Sequence, residues 1–185
     1  MSIVETTVAL TNFIFIGLLP VIFFRRDGGL NLMWWATASP FFIAALIVLA
    51  AAVGWLKPAL LVPNGLVALQ QIIGVVVHLF SIALIAYTLG THRRAIALWH
   101  QDNDAPQNIV TEGAYRLARH PFYTAFLMAF FATCVLFPHA LTLLLFVYAV
   151  FILTFTARRE ERRLLASEFG EEYAAYMQST GRFWP

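Results

Sequence analysis

Two short polar segments carry the residue types that can do chemistry. The first is Gly113-Ala114-Tyr115, followed by Arg119-His120-Pro121-Phe122-Tyr123. Proline suits the first position of a helix, where its missing N–H would be unpaired anyway, so Pro121 predicts a helix start. The N–H groups of such a first turn carry partial positive charge and hold a carboxylate or phosphate. Arg119 adds a full positive charge beside them. The plainer reading is that Arg119 and His120 anchor a span at the membrane interface. The second segment is Glu160-Glu161. Adjacent carboxylates at a helix end suit the diol of a ribose, or an ammonium or sulfonium charge. The plainer reading here is surface pairing with Arg158, Arg159, Arg162 and Arg163, which contributes little per pair.

The remaining chemistry-bearing residues point elsewhere. His78 falls inside an apolar block, where an ionisable group is a functional suspect. A neutral imidazole there also serves to hydrogen-bond a neighbouring helix. His92, His100, His139 and Cys134 show no metal-ligand spacing, which argues against a metal. Gly28-Gly29 follows no strand and reads as a turn, not a dinucleotide loop. There is no phosphate-binding loop and no serine nucleophile elbow. Cys134 is the lone cysteine and has no intrachain partner.

The elements that must position these residues are membrane spans. Hydrophobic residues make up 61% of the 185 positions and charged residues 12%, against about a quarter charged in a soluble domain. The apolar residues come in long blocks, and roughly 20 such residues cross a bilayer. Five blocks are read, from about Ile3 to Phe24, Trp34 to Leu56, Leu66 to Gly90, Pro121 to Phe137 and Ala140 to Ala157. The first has no basic flank before it and no small-residue cleavage site after it, so it reads as a span and not as a leader. Pro138 and His139 alone separate the last two, which predicts a tight helical hairpin. Residues 91–120 form the one long connection. Residues 158–185 read as an amphipathic surface segment, with Leu165, Phe169, Tyr173 and Tyr176 on one face and an interruption at Gly170.

Charge sets the orientation. Five spans put Arg25, Arg26, Arg93, Arg94, Arg116, Arg119, Arg158, Arg159, Arg162, Arg163 and Arg182 on one side, with only Lys57 opposite. The positive-inside bias then places the long loop and C-terminus in the cytoplasm and the N-terminus outside. The expected fold is an all-α integral membrane protein with about five transmembrane helices and a C-terminal amphipathic helix. It divides into an N-terminal three-span region, 1–90, and a core, 91–185, within one compact domain. A net charge of +2 is too small to suggest a nucleic-acid partner.

Taken together, the segments resemble the isoprenylcysteine carboxyl methyltransferase family and its relatives, the phospholipid methyltransferases. The matching residues are Val110-Thr111-Glu112-Gly113-Ala114-Tyr115, Arg119-His120-Pro121-Phe122-Tyr123, Glu160-Glu161, Phe169-Gly170-Glu171-Glu172-Tyr173, Tyr176 and Arg182-Phe183-Trp184-Pro185. The likeness covers roughly residues 85–185. Two positions depart from it: Gln107 stands where members often have histidine, and Ala125 where many have glycine.

The resemblance implies an enzyme that uses S-adenosylmethionine without a soluble cofactor domain. It implies cofactor contacts from His100, Gln107, Asn108, Ile109, Val110, Tyr115, Arg119, His120, Pro121, Phe122, Tyr123 and Glu161. Arg158 is the residue expected to face the methyl acceptor. The expected partner is a lipid-like or prenylated acceptor taken from the membrane, an isoprenylcysteine-type carboxylate being favoured. The expected location is a bacterial inner membrane or one like the endoplasmic reticulum, with the site facing the cytoplasm. A membrane reductase using reduced nicotinamide is one alternative. A non-catalytic transport or assembly protein is another, although a transporter shows broken or polar helices near the midplane, and here the polar groups gather at one face.

Overall fold

A computed structural model describes residues 1–17, 23–24, 27–60, 62–91 and 109–184. These residues form six α-helices: α1 (Ile3–Gly17), α2 (Leu32–Ala52), α3 (Asn64–Thr91), α4 (Pro121–Leu136), α5 (Ala140–Leu165) and α6 (Gly170–Ser179). A short 3-10 turn covers Gly113–Arg116, and no strand occurs among the described residues. Three helices, α2, α3 and α5, are long and apolar enough to cross a membrane, while α1 and α4 are apolar but shorter. The protein is an all-α membrane protein.

The sequence explains where the helices start. Asn31 caps α2, its Oδ1 accepting the Trp34 N–H at 3.2 Å. Pro121 opens α4 without the loss of a hydrogen bond. The α4–α5 hairpin turns at Pro138 and His139. His139 Nδ1 accepts the Leu141 N–H at 3.1 Å, and Thr142 Oγ1 accepts the His139 N–H at 3.3 Å. His139 is therefore a helix cap.

Packing makes α4 the centre of the bundle. It contacts α1, α2, α3 and α5. Its buried side includes Ala125, Phe126, Ala129, Phe130 and Ala132. The outer helix α3 buries only Gly74, His78, Ser81, Ile85 and Thr88. Their alternating spacing of four and three residues draws one stripe along the helix. The exposed α3 residues Leu69, Ile72, Ile73, Val76, Leu79 and Phe80 suit contact with lipid.

A polar seam fixes α3 against α1 and α4. Asn12 Nδ2 donates to His78 Nδ1 at 2.9 Å, and His78 Nε2 lies 3.4 Å from Thr133 Oγ1. Ser81 Oγ donates to the Ala125 carbonyl at 2.7 Å. His78 thus bonds neighbouring helices, and Asn12 is the partner that the first apolar block did not advertise. The Ser81–Ala125 bond also sets the level of two helix ends. Beyond it α3 continues to Thr91, whereas α4 begins at Pro121. At about 1.5 Å per residue, α3 ends roughly 9 Å beyond the start of α4.

Two boundaries differ from the sequence expectation. The end of the first block is not among them, since α1 is described to Gly17 and residues 18–22 lie outside the described part. The α5 helix does not stop at Ala157 but runs unbroken to Leu165. Arginine, glutamate and leucine are good helix formers, so the charged run 158–163 extends the span. The amphipathic helix is therefore the short α6, which buries Tyr173 and Tyr176. Leu165 is exposed and belongs to α5. Gly170 stands at the break: a Cβ there would come within 2.4 Å of the Leu165 carbonyl oxygen.

Candidate active site at the arginine-rich end of the bundle

The α4–α5 hairpin is antiparallel, so its open end brings the start of α4 beside Glu160 and Glu161 on α5. Glu161 is 3% exposed and sits at the centre of a cluster. A carboxylate so buried must be paired. Arg119 reaches it through Nε at 3.0 Å and Nη2 at 2.9 Å. Arg182 reaches it from the other side, with Nε 3.0 Å from both oxygens and Nη2 2.6 Å from Oε2. The hydrogen bond with Glu161 raises the Arg182 pKa above its ordinary value and keeps the guanidinium charged. The pairing with neighbours on α5 that the sequence allowed is not the one Glu161 makes.

Glu160 faces a second group. Its Oε1 accepts the Tyr123 hydroxyl at 2.7 Å, and its Oε2 lies 3.5 Å from His120 Nδ1. The rings of His120 and Tyr123 stack, with centroids 5.3 Å apart and planes within 3°. His120 Nε2 is buried and has no hydrogen-bond partner among the described residues. Glu161 Oε1 is 3.4 Å away but not aligned to accept. A polar atom left in this state is costly unless a ligand completes it.

The C-terminal tail closes the cluster. The Arg119 N–H donates to Gly181 O at 2.9 Å and the His120 N–H to Arg182 O at 3.0 Å. Thr124 Oγ1 donates to Phe183 O at 2.9 Å, and Arg119 Nη1 donates to Met177 O and Thr180 O at 3.1 and 2.7 Å. These contacts run from the tail to the first turn of α4.

Tyr115 enters from the 3-10 turn. Its carbonyl accepts the Tyr176 hydroxyl at 2.5 Å. Burial pushes the Tyr176 phenol up to about 12. Burial also raises the pKa of Tyr115, aided by Tyr176 and Glu160, and that of Tyr173, aided by Glu161. All three phenols therefore stay protonated at neutral pH and act as donors, not bases. Gly113 sets the turn at φ +60°, and a Cβ there would come within 2.4 Å of Thr91 Oγ1. The same hydroxyl accepts the Ala114 N–H at 3.2 Å. Gly113→Ala is expected to destabilise the chain by about 1–3 kcal/mol through backbone strain at this position. Thermal unfolding in detergent measures this, and an unchanged midpoint would show that the turn yields without cost.

The expected residues now have places. Arg119, His120, Pro121, Phe122, Tyr123, Tyr115 and Glu161 gather at this end, and Ile109 and Val110 lead into the 3-10 turn, partly buried. His100, Gln107 and Asn108 lie outside the described residues. Arg158 is not brought in: it is exposed on α5, and among the described residues only its carbonyl makes a hydrogen bond, accepting from Arg162 Nε at 3.3 Å. Arg182 and Thr124 are the functional candidates that motif reading left without a role. Among the described residues no group of three His, Cys, Asp or Glu side chains forms a metal site.

A family model for phospholipid methyltransferase matches residues 68–172, more than half of the chain. The chain belongs to the phospholipid methyltransferase family. No curated protein matches it. The family match begins in α3, earlier than the motifs, and ends in α6. It takes in Arg119, His120, Glu160 and Glu161, and leaves out α1, α2 and Arg182. Membership makes the protein a membrane methyltransferase.

Proposed function

We propose that the chain transfers a methyl group from S-adenosylmethionine to a lipid-like acceptor, with an isoprenylcysteine-type carboxylate favoured. The observation that carries the cofactor assignment is His120, whose buried Nε2 lacks a hydrogen-bond partner among the described residues, beside the carboxylate of Glu160 and the ring of Tyr123. A carboxylate next to an aromatic face suits a sulfonium or ammonium charge. The first turn of α4 suits the cofactor's own carboxylate. S-adenosylmethionine, when bound, supplies an electrophilic methyl group on a positively charged sulfur.

The chain's residues would supply position and dryness. Tyr115, His120, Phe122 and Tyr123 would line the cofactor, joined by Ile109 and Val110 and by His100, Gln107 and Asn108. Glu161 would hold Arg119 and Arg182 in place, and so hold the first turn of α4. Alignment of two reactants in a site that excludes water is worth many orders of magnitude in rate. A carboxylate acceptor is already anionic and needs no base, which agrees with a site whose phenols are protonated. We place this site on the cytoplasmic face, by the positive-inside bias of the arginines.

Calorimetric titration of the detergent-solubilised chain with S-adenosylhomocysteine tests the reading. Saturable binding is expected, weakened roughly tenfold or more in His120→Ala, about 1.4 kcal/mol. An absence of binding in a folded sample would sink it.

A further inference from the structure

The residues that carry the cofactor reading are shut in. The His120 side chain is 10% exposed and that of Glu161 4%. Phe183 stands edge-on to the His120 ring, with centroids 6.3 Å apart. A ligand therefore reaches the buried Nε2 of His120 only if part of the chain moves aside. The helices α4 and α5 that carry these residues are built into the main core through Phe126, Phe130 and Leu153. The stretch 180–184 is different. It lies beyond the end of α6, it is not helical, and it finishes at Trp184, which is 64% exposed.

This stretch crosses the cluster as a strap. Its carbonyls at Gly181, Arg182 and Phe183 accept from the Arg119 N–H, the His120 N–H and Thr124 Oγ1 at 2.9, 3.0 and 2.9 Å. Arg182 fastens it to α5, with Nη2 2.6 Å from Glu161 Oε2. The Arg182 side chain is 28% exposed, against 8% for Arg119 on the same carboxylate. If Arg182 left, Glu161 would keep its buried counter-charge on Arg119, so the pair can part without stranding the carboxylate. A peripheral segment joined by a few hydrogen bonds and an ion pair opens at a smaller cost than a helix of the core. The shut state also leaves His120 Nε2 without a hydrogen-bond partner among the described residues. A bound ligand can remove that cost.

We infer that residues 180–184 form a strap that opens to admit the cofactor and closes over it, with the Arg182–Glu161 pair as its latch. The inference rests on the proposed cofactor reading and adds to it the step by which the site is entered and sealed. The strap lies beyond the family match, which ends at residue 172. Lids of this kind set the rates at which ligands enter and leave.

Hydrogen exchange resolved to single amides, on the full chain in detergent, tests this, because Arg119 and His120 give their N–H groups to the strap. Both amides are expected to exchange at least about a hundredfold faster than those of Phe126 and Phe130 in the core. Saturating S-adenosylhomocysteine is expected to slow the two roughly tenfold or more. Arg182→Gln removes the charge of the latch. It is expected to speed both amides, and the dissociation of S-adenosylhomocysteine, by roughly tenfold or more. Exchange of the two amides at the core rate would overturn the inference, since the strap would then leave only on unfolding. So would fast exchange that ignores an analogue shown by calorimetry to bind, or a latch variant that exchanges like the wild type. The wild-type measurement decides the matter even if the variant fails to fold. Calorimetry on the same samples separates the two readings. No binding of S-adenosylhomocysteine would bring down the cofactor reading and this inference with it, while binding to a chain whose strap stays shut would bring down this inference alone.

Discussion

Glu161→Ala is expected to lower the unfolding midpoint of the detergent-solubilised chain and to abolish measurable S-adenosylhomocysteine binding. The carboxylate is buried and receives both Arg119 and Arg182. Truncation leaves Arg119, whose side chain is 8% exposed, without a counter-charge. Breaking a buried pair by removing one partner typically costs about 3–5 kcal/mol. Arg182 is 28% exposed, so water screens its share and the lower end of that range applies. Glu161→Gln keeps an acceptor oxygen and loses the charge, and is expected to fall between the two. A variant that melts and binds like the wild type would show that the Arg119 guanidinium is held well enough by the carbonyls of Met177 and Thr180 alone.

Ending the chain after Ser179 is expected to weaken S-adenosylhomocysteine binding on the order of a hundredfold while leaving the helix content intact. The deletion removes the carbonyls of Gly181, Arg182 and Phe183 that meet Arg119, His120 and Thr124, and it removes one of the two arginines on Glu161. Neutral hydrogen bonds contribute about 1 kcal/mol each and charged ones about twice that, so the sum reaches the stated loss. The core around Phe126 and Phe130 loses only Phe183, which is partly buried and packs against it. Far-ultraviolet circular dichroism separates the two effects. Undiminished affinity would mean that the tail rests on the site without shaping it. Arg182→Lys refines the result, since lysine carries the charge without the planar fork and is expected to recover only part of the affinity.

The outline of this arrangement was legible in the sequence because it depends on local signals. Pro121 marks a helix start, and Pro138-His139 marks a hairpin. Together they bring segments about forty positions apart to one end. The partner choice of Glu161 was not legible. Four arginines lie within three positions of it in sequence, yet Arg158 and Arg162 are on the exposed face of α5 while Glu161 points inward. Its true partners come from a different helix start and from the tail, which local spacing does not encode. The end of α5 was misread because a change from apolar to charged residues looks like a boundary. Backbone hydrogen bonding continues through it, since those charged residues favour helix. Asn12 was invisible because one amide in an apolar block acquires meaning only beside His78.

The unequal lengths of α3 and α4 have a consequence for how a substrate arrives. The first turn of α4 lies roughly 9 Å short of the end of α3. Over that stretch α3 still carries the exposed Ala86, Tyr87 and Leu89, side chains at home at the edge of the acyl chains. The reacting end of an amphiphile can therefore meet the Glu161 cluster while its hydrocarbon tail stays dissolved in the leaflet. For the proposed lipid-like acceptor no extraction into water would be required, and the search for substrate would become lateral diffusion in two dimensions. Turnover would then follow the mole fraction of acceptor in the bilayer, not its bulk concentration.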